Sequence, residues 1–237
     1  MSAATGDGAR DQILGSIRRS LGRDGPLDAA TQARLAAGVD AHARNIVPKR
    51  TDLDRPALVD LFAEMVQRVH ATTTRVASMD DVPEAVADYL KSQNLPAQLV
   101  MAPDATLDAA DWSSQKMLEI RRGKPVESDP VSVTSAYAAV AETGTLVMAS
   151  GPDHPSTLNF MPETHVVVLP ASRVAKAYED VWDQLRGGMG ERGGLLPRTV
   201  NMITGPSRSG DIEQTLLLGA HGPRRLHIVL VEDGEAT

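Results

Sequence analysis

TVNMITGPSRSGDIEQTLLLGAHGP, residues 199–223, joins an apolar run to a Gly-Pro-Ser turn, an acidic segment and a Gly-His-Gly-Pro exit. Two Gly-Pro pairs, at Gly205 and Gly222, each border an apolar segment, and such pairs punctuate turns. The run before Gly205 reads as a strand. Helix formers begin near Asp211, so the pattern predicts a strand, a turn and an acidic helix that ends before His221. Between the turns stand Ser207, Arg208, Ser209, Asp211, Glu213 and His221, the polar types from which sites are built. A strand delivered to a polar turn and followed by a helix is the repeating unit of an α/β fold.

Outward from this stretch, the same alternation recurs. RLHIVLVED closes the chain as an apolar strand, and HVVVLP is another. Residues 98–101 and 145–149 read as further strands, the latter near-continuously apolar, as expected where both faces are covered. DRPALVDLFAEMVQRVHA carries Leu58, Leu61, Phe62, Met65 and Val69 at helical spacing, with Pro56 suited to a first turn. VPEAVADYLKSQN is a second amphipathic helix, and TRVASM between the two is a short strand. SRVAKAYEDVWDQLRGG predicts a helix with Val174, Tyr178, Val181, Trp182 and Leu185 inward. VSVTSAYAAVAETGTLVMAS reads as strand, short Ala-rich helix, turn and strand. Residues 103–129 hold no clear period. The expected fold is α/β with a parallel sheet.

Ahead of this domain, ARDQILGSIRRSLGR sets Ile13, Leu14, Ile17 and Leu21 on one helical stripe with Arg18 and Arg19 opposite. Residues 27–48 are Ala-rich with a sparse stripe. The expectation is an N-terminal helical arm over residues 1–50 and a compact domain over 51–237.

The composition bounds the function. The chain has 237 residues, 42% hydrophobic and only 3% aromatic, so its core must rest on Ala, Val, Leu, Ile and Met. A net charge of -7 argues against nucleic-acid binding, which calls for a basic face. No apolar run approaches the ~20 residues of a membrane span, and no signal-peptide pattern follows the first arginines. A cytoplasmic protein is expected. There is no cysteine. That excludes disulfides, a thiol nucleophile and thiolate-held zinc or iron–sulfur clusters.

Two turns carry the candidate chemistry. In AETGT, Gly144 suits a positive φ or a close backbone approach, and Glu142 stands where a strand opens. Its carboxylate can serve as base, nucleophile or hydrogen-bond acceptor, with Thr143 and Gly144 as ligand contacts. The plain alternative is a turn whose side chains satisfy nearby backbone groups. In GPSRSGDIE, Ser207, Ser209 and Arg208 suit an anion at a helix start. Asp211 and Glu213 in that same turn repel a phosphate, so a carboxylate, hydroxyl or amine fits better. A well-capped helix without a ligand is the competing reading. His221, between glycines, is available for hydrogen bonding or acid/base work. His221, His154 and Glu142 lack ligand spacing, so no metal is expected, and His227 reads as a buried or edge strand residue.

Together, AETGTLVM, STLNFMPETHVVVL and ITGPSRSGDIEQTLLLGAHGP resemble the lactate utilisation protein C family of LUD domain proteins, and ILGSIRRSLG is similar to that family's start. Ser209 and Gly210 depart from the Thr and Ala usual there. The resemblance implies a three-layer fold similar to the CoA-transferase and ribose-5-phosphate isomerase superfamily. It also implies a part in oxidising L-lactate to pyruvate beside iron–sulfur partner proteins of the same operon. This chain would be the cluster-free member, without a cofactor of its own. It implies no catalytic residue. A stand-alone enzyme or binding protein for a small carboxylic acid or CoA ester is the alternative, with Glu142 catalytic and Ser207, Arg208 and His221 on the carboxylate.

Overall fold

A computed structural model describes residues 6–22, 25–189, 193–212 and 215–233. The chain divides by contacts into two units, Met1–Asn45 and Ile46–Thr237. The first holds helices α1 (Gly6–Ser20) and α2 (Ala29–Asp40). Asp28 caps α2 by accepting hydrogen bonds from the backbone N–H and the hydroxyl of Thr31, both at 2.8 Å. These bonds, the backbone one first, hold its carboxyl below the usual range.

The second unit begins with α3 (Arg55–Arg68), whose start Asp54 caps at the N–H of Ala57. There follow β1 (Thr72–Val76), α4 (Val82–Ser92), β2 (Gln98–Met101), α5 (Ala105–Asp108), β3 (Glu119–Arg122) and β4 (Val131–Ser135). Then come β5 (Ala138–Val140), β6 (Thr145–Ala149), β7 (Thr164–Pro170), β8 (Val174–Ala175), α6 (Tyr178–Gly187), β9 (Val200–Ile203), β10 (Arg208–Ile212), β11 (Thr215–Leu218) and β12 (Arg225–Val231).

Six strands form a central sheet in the order β1-β12-β7-β4-β2-β3, and every neighbouring pair is parallel. The fold is therefore mixed α/β around a parallel sheet. β4, β7 and most of β12 are wholly buried, which accounts for the apolar runs of β7 and β12. One face packs Val133, Val166, Val168 and Val229 against Val82, Val86 and Leu90 of α4. The other packs Val167, Leu169, Ile228 and Leu230 against Leu58, Phe62 and Val66 of α3 and against Leu146 and Met148. The latter two belong to a second sheet of order β8-β5-β6-β9, whose outer side receives Val181 and Leu185 of α6.

Three expectations are corrected. The Ala-rich segment after β4 is not a helix. Ala138, Ala139 and Val140 form β5, each fully buried, paired antiparallel to β6. Helix propensity yields here because small side chains let β5 lie between α6 and the layer below. Val174 and Ala175 likewise leave the anticipated helix and pair with β5, and α6 begins at Tyr178. Finally, the described residues of 208–218 form no helix: β10 and β11 pair antiparallel, Arg208 opposite Leu218 and Ser209 opposite Leu217. A TLLL run beside Gly210 favours a ladder over a helical turn, because glycine weakens a helix and three leucines supply one strand.

Candidate functional site

The two turns singled out in the sequence meet at the end of α3. Gly205 has φ +80°, and a Cβ built there would stand 2.5 Å from the carbonyl oxygen of Val69. Gly144 has φ +67°, and its Cβ would stand 2.6 Å from the backbone nitrogen of Val66. Both glycines therefore serve a close backbone approach. The turns are joined by hydroxyls: Thr145 Oγ1 lies 2.7 Å from Thr204 Oγ1 and 2.6 Å from Thr143 Oγ1. The phenol of Tyr178 closes this cluster at 3.0 Å from Thr143 and 2.9 Å from Thr145. Thr143 is thus occupied in holding the AETGT turn.

Glu142 lies apart from both clefts described below. Its half-buried carboxylate is 3.6 Å from the guanidinium of Arg50, whose Nη2 also donates to the Glu142 carbonyl at 3.4 Å. Its backbone N–H donates to Lys176. The carboxylate therefore has an arginine beside it and lines neither of those two clefts.

Ser207 and His221 do come together. The Ser207 N–H donates to Pro223 and its carbonyl accepts from Gly219, so both Gly-Pro exits are tied to one residue. Ser207 Oγ accepts the N–H of His221 at 3.4 Å. These residues line a cleft of about 230 Å³ with Asn159, Phe160, His165, Met202, Ile203 and Leu226. His165 and Leu226 are the second residues of β7 and β12, so the cleft opens at the N-terminal ends of the parallel strands. Arg208 is exposed on β10 and is not part of the cleft lining, and Asp211 falls on the same strand. Glu213 lies outside the described residues. Because no helix starts here, the anticipated anion site on free N–H groups is absent among the described residues.

Two polar groups in the cleft escaped the sequence reading. His165 is fully buried, its Nε2 2.8 Å from Thr134 Oγ1, and its Nδ1 has no partner. Burial first, and then the neighbouring His154, drives its pKa down to about 3, so the ring is neutral. Asn159 accepts at Oδ1 from His154 Nε2 at 3.2 Å, leaving its Nδ2 without a partner. Burial also lowers the pKa of His154. Unpartnered buried polar atoms cost free energy, and here two of them belong to residues that line the same cleft. The sequence shows only a histidine inside a mainly apolar strand and an asparagine in the turn before it, and neither position marks an unpartnered atom.

His154 also lines a second crevice, of about 350 Å³, with Asp104, Thr106, Ser135, Tyr137, Asp153 and Arg173. It lies beyond the C-terminal ends of β2 and β4. From β2 the chain goes to β3 on one side, and from β4 onward to β7 on the other. Open α/β sheets bind ligands at such a reversal. Ser135 Oγ donates to Asp104, whose other oxygen accepts from the Thr106 N–H at 2.8 Å. Arg173 donates to the Ala136 carbonyl at 2.7 Å and to Thr106 Oγ1 at 2.9 Å. No group of three or more His, Asp or Glu capable of holding a metal occurs among the described residues. His227, on an inner strand, stacks on Tyr89 with ring centroids 3.8 Å apart.

The LUD domain family model matches residues 59–231. Lactate utilization protein C of Exiguobacterium sp. is 29% identical, over 84% of this chain and 94% of that protein. Lactate utilization protein C of Halalkalibacterium halodurans is 26% identical, over 94% of this chain and 98% of that protein. Among solved structures, a DUF162 family protein from Deinococcus radiodurans superimposes with a TM-score of 0.55, at 21% identity, over 76% of this chain and 99% of that one, a likeness of fold. With the parallel sheet, the AETGT turn and the GPS and GxHGP turns all inside the matched segment, the chain belongs to the LUD domain family.

Proposed function

We propose that this protein acts in lactate utilization, as the cluster-free component of a system in which iron–sulfur partner proteins oxidise L-lactate to pyruvate. The carrying observation is end-to-end similarity to proteins named Lactate utilization protein C, which this chain matches over 94% and 98% of their length. The lack of any cysteine supports the division of labour, since a thiolate-held cluster must then sit on another chain. The cleft around His165, Asn159, Ser207 and His221 supports a share in handling a small polar molecule, because it offers hydrogen-bond donors and acceptors on an apolar wall. No helix among the described residues is long and apolar enough to cross a membrane.

Two measurements test the proposal in the organism that encodes the chain. Deleting the gene is expected to stop growth on L-lactate and leave growth on pyruvate intact, with restoration from a plasmid copy. A tagged chain is expected to co-purify with proteins that show iron–sulfur absorbance. Unchanged growth on L-lactate would overturn the role, and a clean pull-down would overturn the partnership.

A further inference from the structure

We propose that the crevice at the C-terminal ends of β2 and β4 is a binding site for a small hydroxy monocarboxylate, with Arg173 on the carboxylate and Asp104 on the hydroxyl.

The position comes from strand order. β2 and β4 are neighbours whose onward connections diverge, so the helices and loops that follow them part and leave an opening above the sheet. Into it project residues from four separate segments: Asp104 and Thr106 after β2, Ser135 and Tyr137 around the end of β4, Asp153 and His154 after β6, and Arg173 after β7. Nothing in their spacing along the chain brings them together.

The ligand class comes from their bonding. Arg173 is not a loose surface arginine. One Nη donates to the Ala136 carbonyl and the other to Thr106 Oγ1, which fixes the plane of the guanidinium while leaving further N–H donors. A planar, fixed fork suits a carboxylate. Asp104 is held just as firmly, by the Thr106 N–H and by Ser135 Oγ. Both side chains therefore reach the same residue, Thr106, and lie close together. A ligand must present an anion to one and a hydrogen-bond donor to the other within a short span. A hydroxyl on a carbon near the carboxylate does so. A keto group does not, since it would set an oxygen lone pair against the Asp104 carboxylate. Asp153, which also lines the crevice, adds a second negative charge, which disfavours a phosphate dianion more than a monoanion. A small monoanion with a hydroxyl is what remains.

Calorimetry on the full-length chain supplies the test, with glycolate and L-lactate as probes against propionate, pyruvate and inorganic phosphate. The two hydroxy acids are expected to bind more tightly than propionate and pyruvate by on the order of tenfold, the worth of one hydrogen bond to a charged group. Arg173→Lys is expected to weaken every carboxylate by on the order of tenfold or more, through loss of the fork. Because Arg173 also braces two backbone segments, Asp104→Asn is the second variant. It keeps the bond to the Thr106 N–H, should fold, and should abolish the preference for hydroxy over keto acids. A crystal soaked in L-lactate should show the carboxylate against Arg173.

Equal or tighter phosphate binding overturns the proposal. So does an unchanged hydroxy-acid preference in Asp104→Asn, a soaked ligand lodged beside His165 and Ser207 instead, or no heat from any acid at tens of millimolar. The ligand class follows from side chains alone. Glycolate binding and growth on L-lactate therefore fail separately, and either result leaves the other standing.

Discussion

Acidification should destabilise this protein before its carboxylates begin to titrate, and two buried histidines set the size of the effect. Burial drives the pKa of His165 from 6.5 to about 3 and that of His227 from 6.5 to about 4. In the unfolded chain both rings regain the ordinary value. Between the folded and unfolded values the unfolded state binds more protons, so stability falls as the pH drops. The contribution is fully present above about pH 6.5. It is lost progressively below that, down to about pH 3 for His165 and about pH 4 for His227. One proton withheld is worth about 1.4 kcal/mol per pH unit, so at about pH 5 each histidine removes about 2 kcal/mol and the pair about 4 kcal/mol. Against a total of about 5–15 kcal/mol for an ordinary domain, this is a large share. His154, also depressed by burial, adds to the loss with the same sign.

The assay is urea unfolding followed by circular dichroism at half-unit steps from about pH 7.5 to about pH 5, where most carboxylates stay ionised. Stability should fall in that window with a slope approaching two protons. His227→Gln and His165→Gln should each flatten the slope by about one proton, whatever they do to stability at neutral pH. The slope is the readout because it is specific to the titration. A loss of the Tyr89 stack or of the Thr72 hydrogen bond (2.8 Å from His227 Nδ1) lowers the whole curve without changing its gradient. If both variants keep the wild-type slope, or if imidazole resonances assigned to these residues titrate near pH 6.5, the reasoning fails.

Other outcomes follow from the same contacts. Gly205→Ala and Gly144→Ala place a Cβ against the backbone of α3 at positive φ, and each should cost about 2 kcal/mol or more, lowering Tm by roughly 4–8 °C. Gly151→Ala, whose Cβ would meet nothing within 4 Å, should melt close to wild type in the same scan. Tyr178→Phe removes the phenol that joins Thr143 and Thr145 and should cost about 1 kcal/mol in urea unfolding. Asp28→Ala should speed amide exchange across α2, with a local loss of about 1 kcal/mol, and leave exchange in β7 and β12 as it was.

Much of the central sheet could be read from local pattern alone. The strands at Gln98–Met101 and Thr145–Ala149 have the bounds their apolar runs suggest, and α3 and α4 show the helical stripes that bury Phe62 and Val86. Pattern failed where neighbours outweighed propensity. Alanines 138 and 139 favour a helix by themselves, yet a strand there closes the gap between α6 and the central layers. The segment after Ser207 has a helical start in its Ser, Asp and Glu residues, but its leucines pair across a ladder. As for the candidate site, Ser207 and His221 could be named because they stand between Gly-Pro turns. Asn159 and His165 could not, since their interest lies in unpartnered atoms that only burial creates. Asp104, Ser135 and Arg173 were further out of reach. They meet because β7, β4 and β2 are neighbours in that order, and strand order is a long-range property that no local window carries.

The most specific motif in the chain is therefore not where the charged chemistry gathers. In the GPS and GxHGP turns, Gly205 is pressed against Val69 and Gly219, at φ +82°, would set a Cβ 2.8 Å from the side chain of Arg224, while Ser207 is bonded through its backbone at both exits. The two glycine positions admit little else, so that part of the motif is set by backbone geometry even before any ligand is considered. The Asp104 and Arg173 crevice is built the other way, from ordinary residue types whose value depends on being brought together. One hydrogen bond links the two places: His154 lines the crevice and donates to Asn159, which lines the cleft. A ligand that reorients His154 in the crevice would release the Oδ1 of Asn159, whose Nδ2 is already free, and so alter the donors facing His165. His154→Phe keeps the burial and cuts that link. In such a variant, acid binding in the crevice should no longer shift the amide resonances of Ser207 and His221, whereas in the intact chain it should. Shifts that persist in His154→Phe would mean that the two sites are coupled by another route.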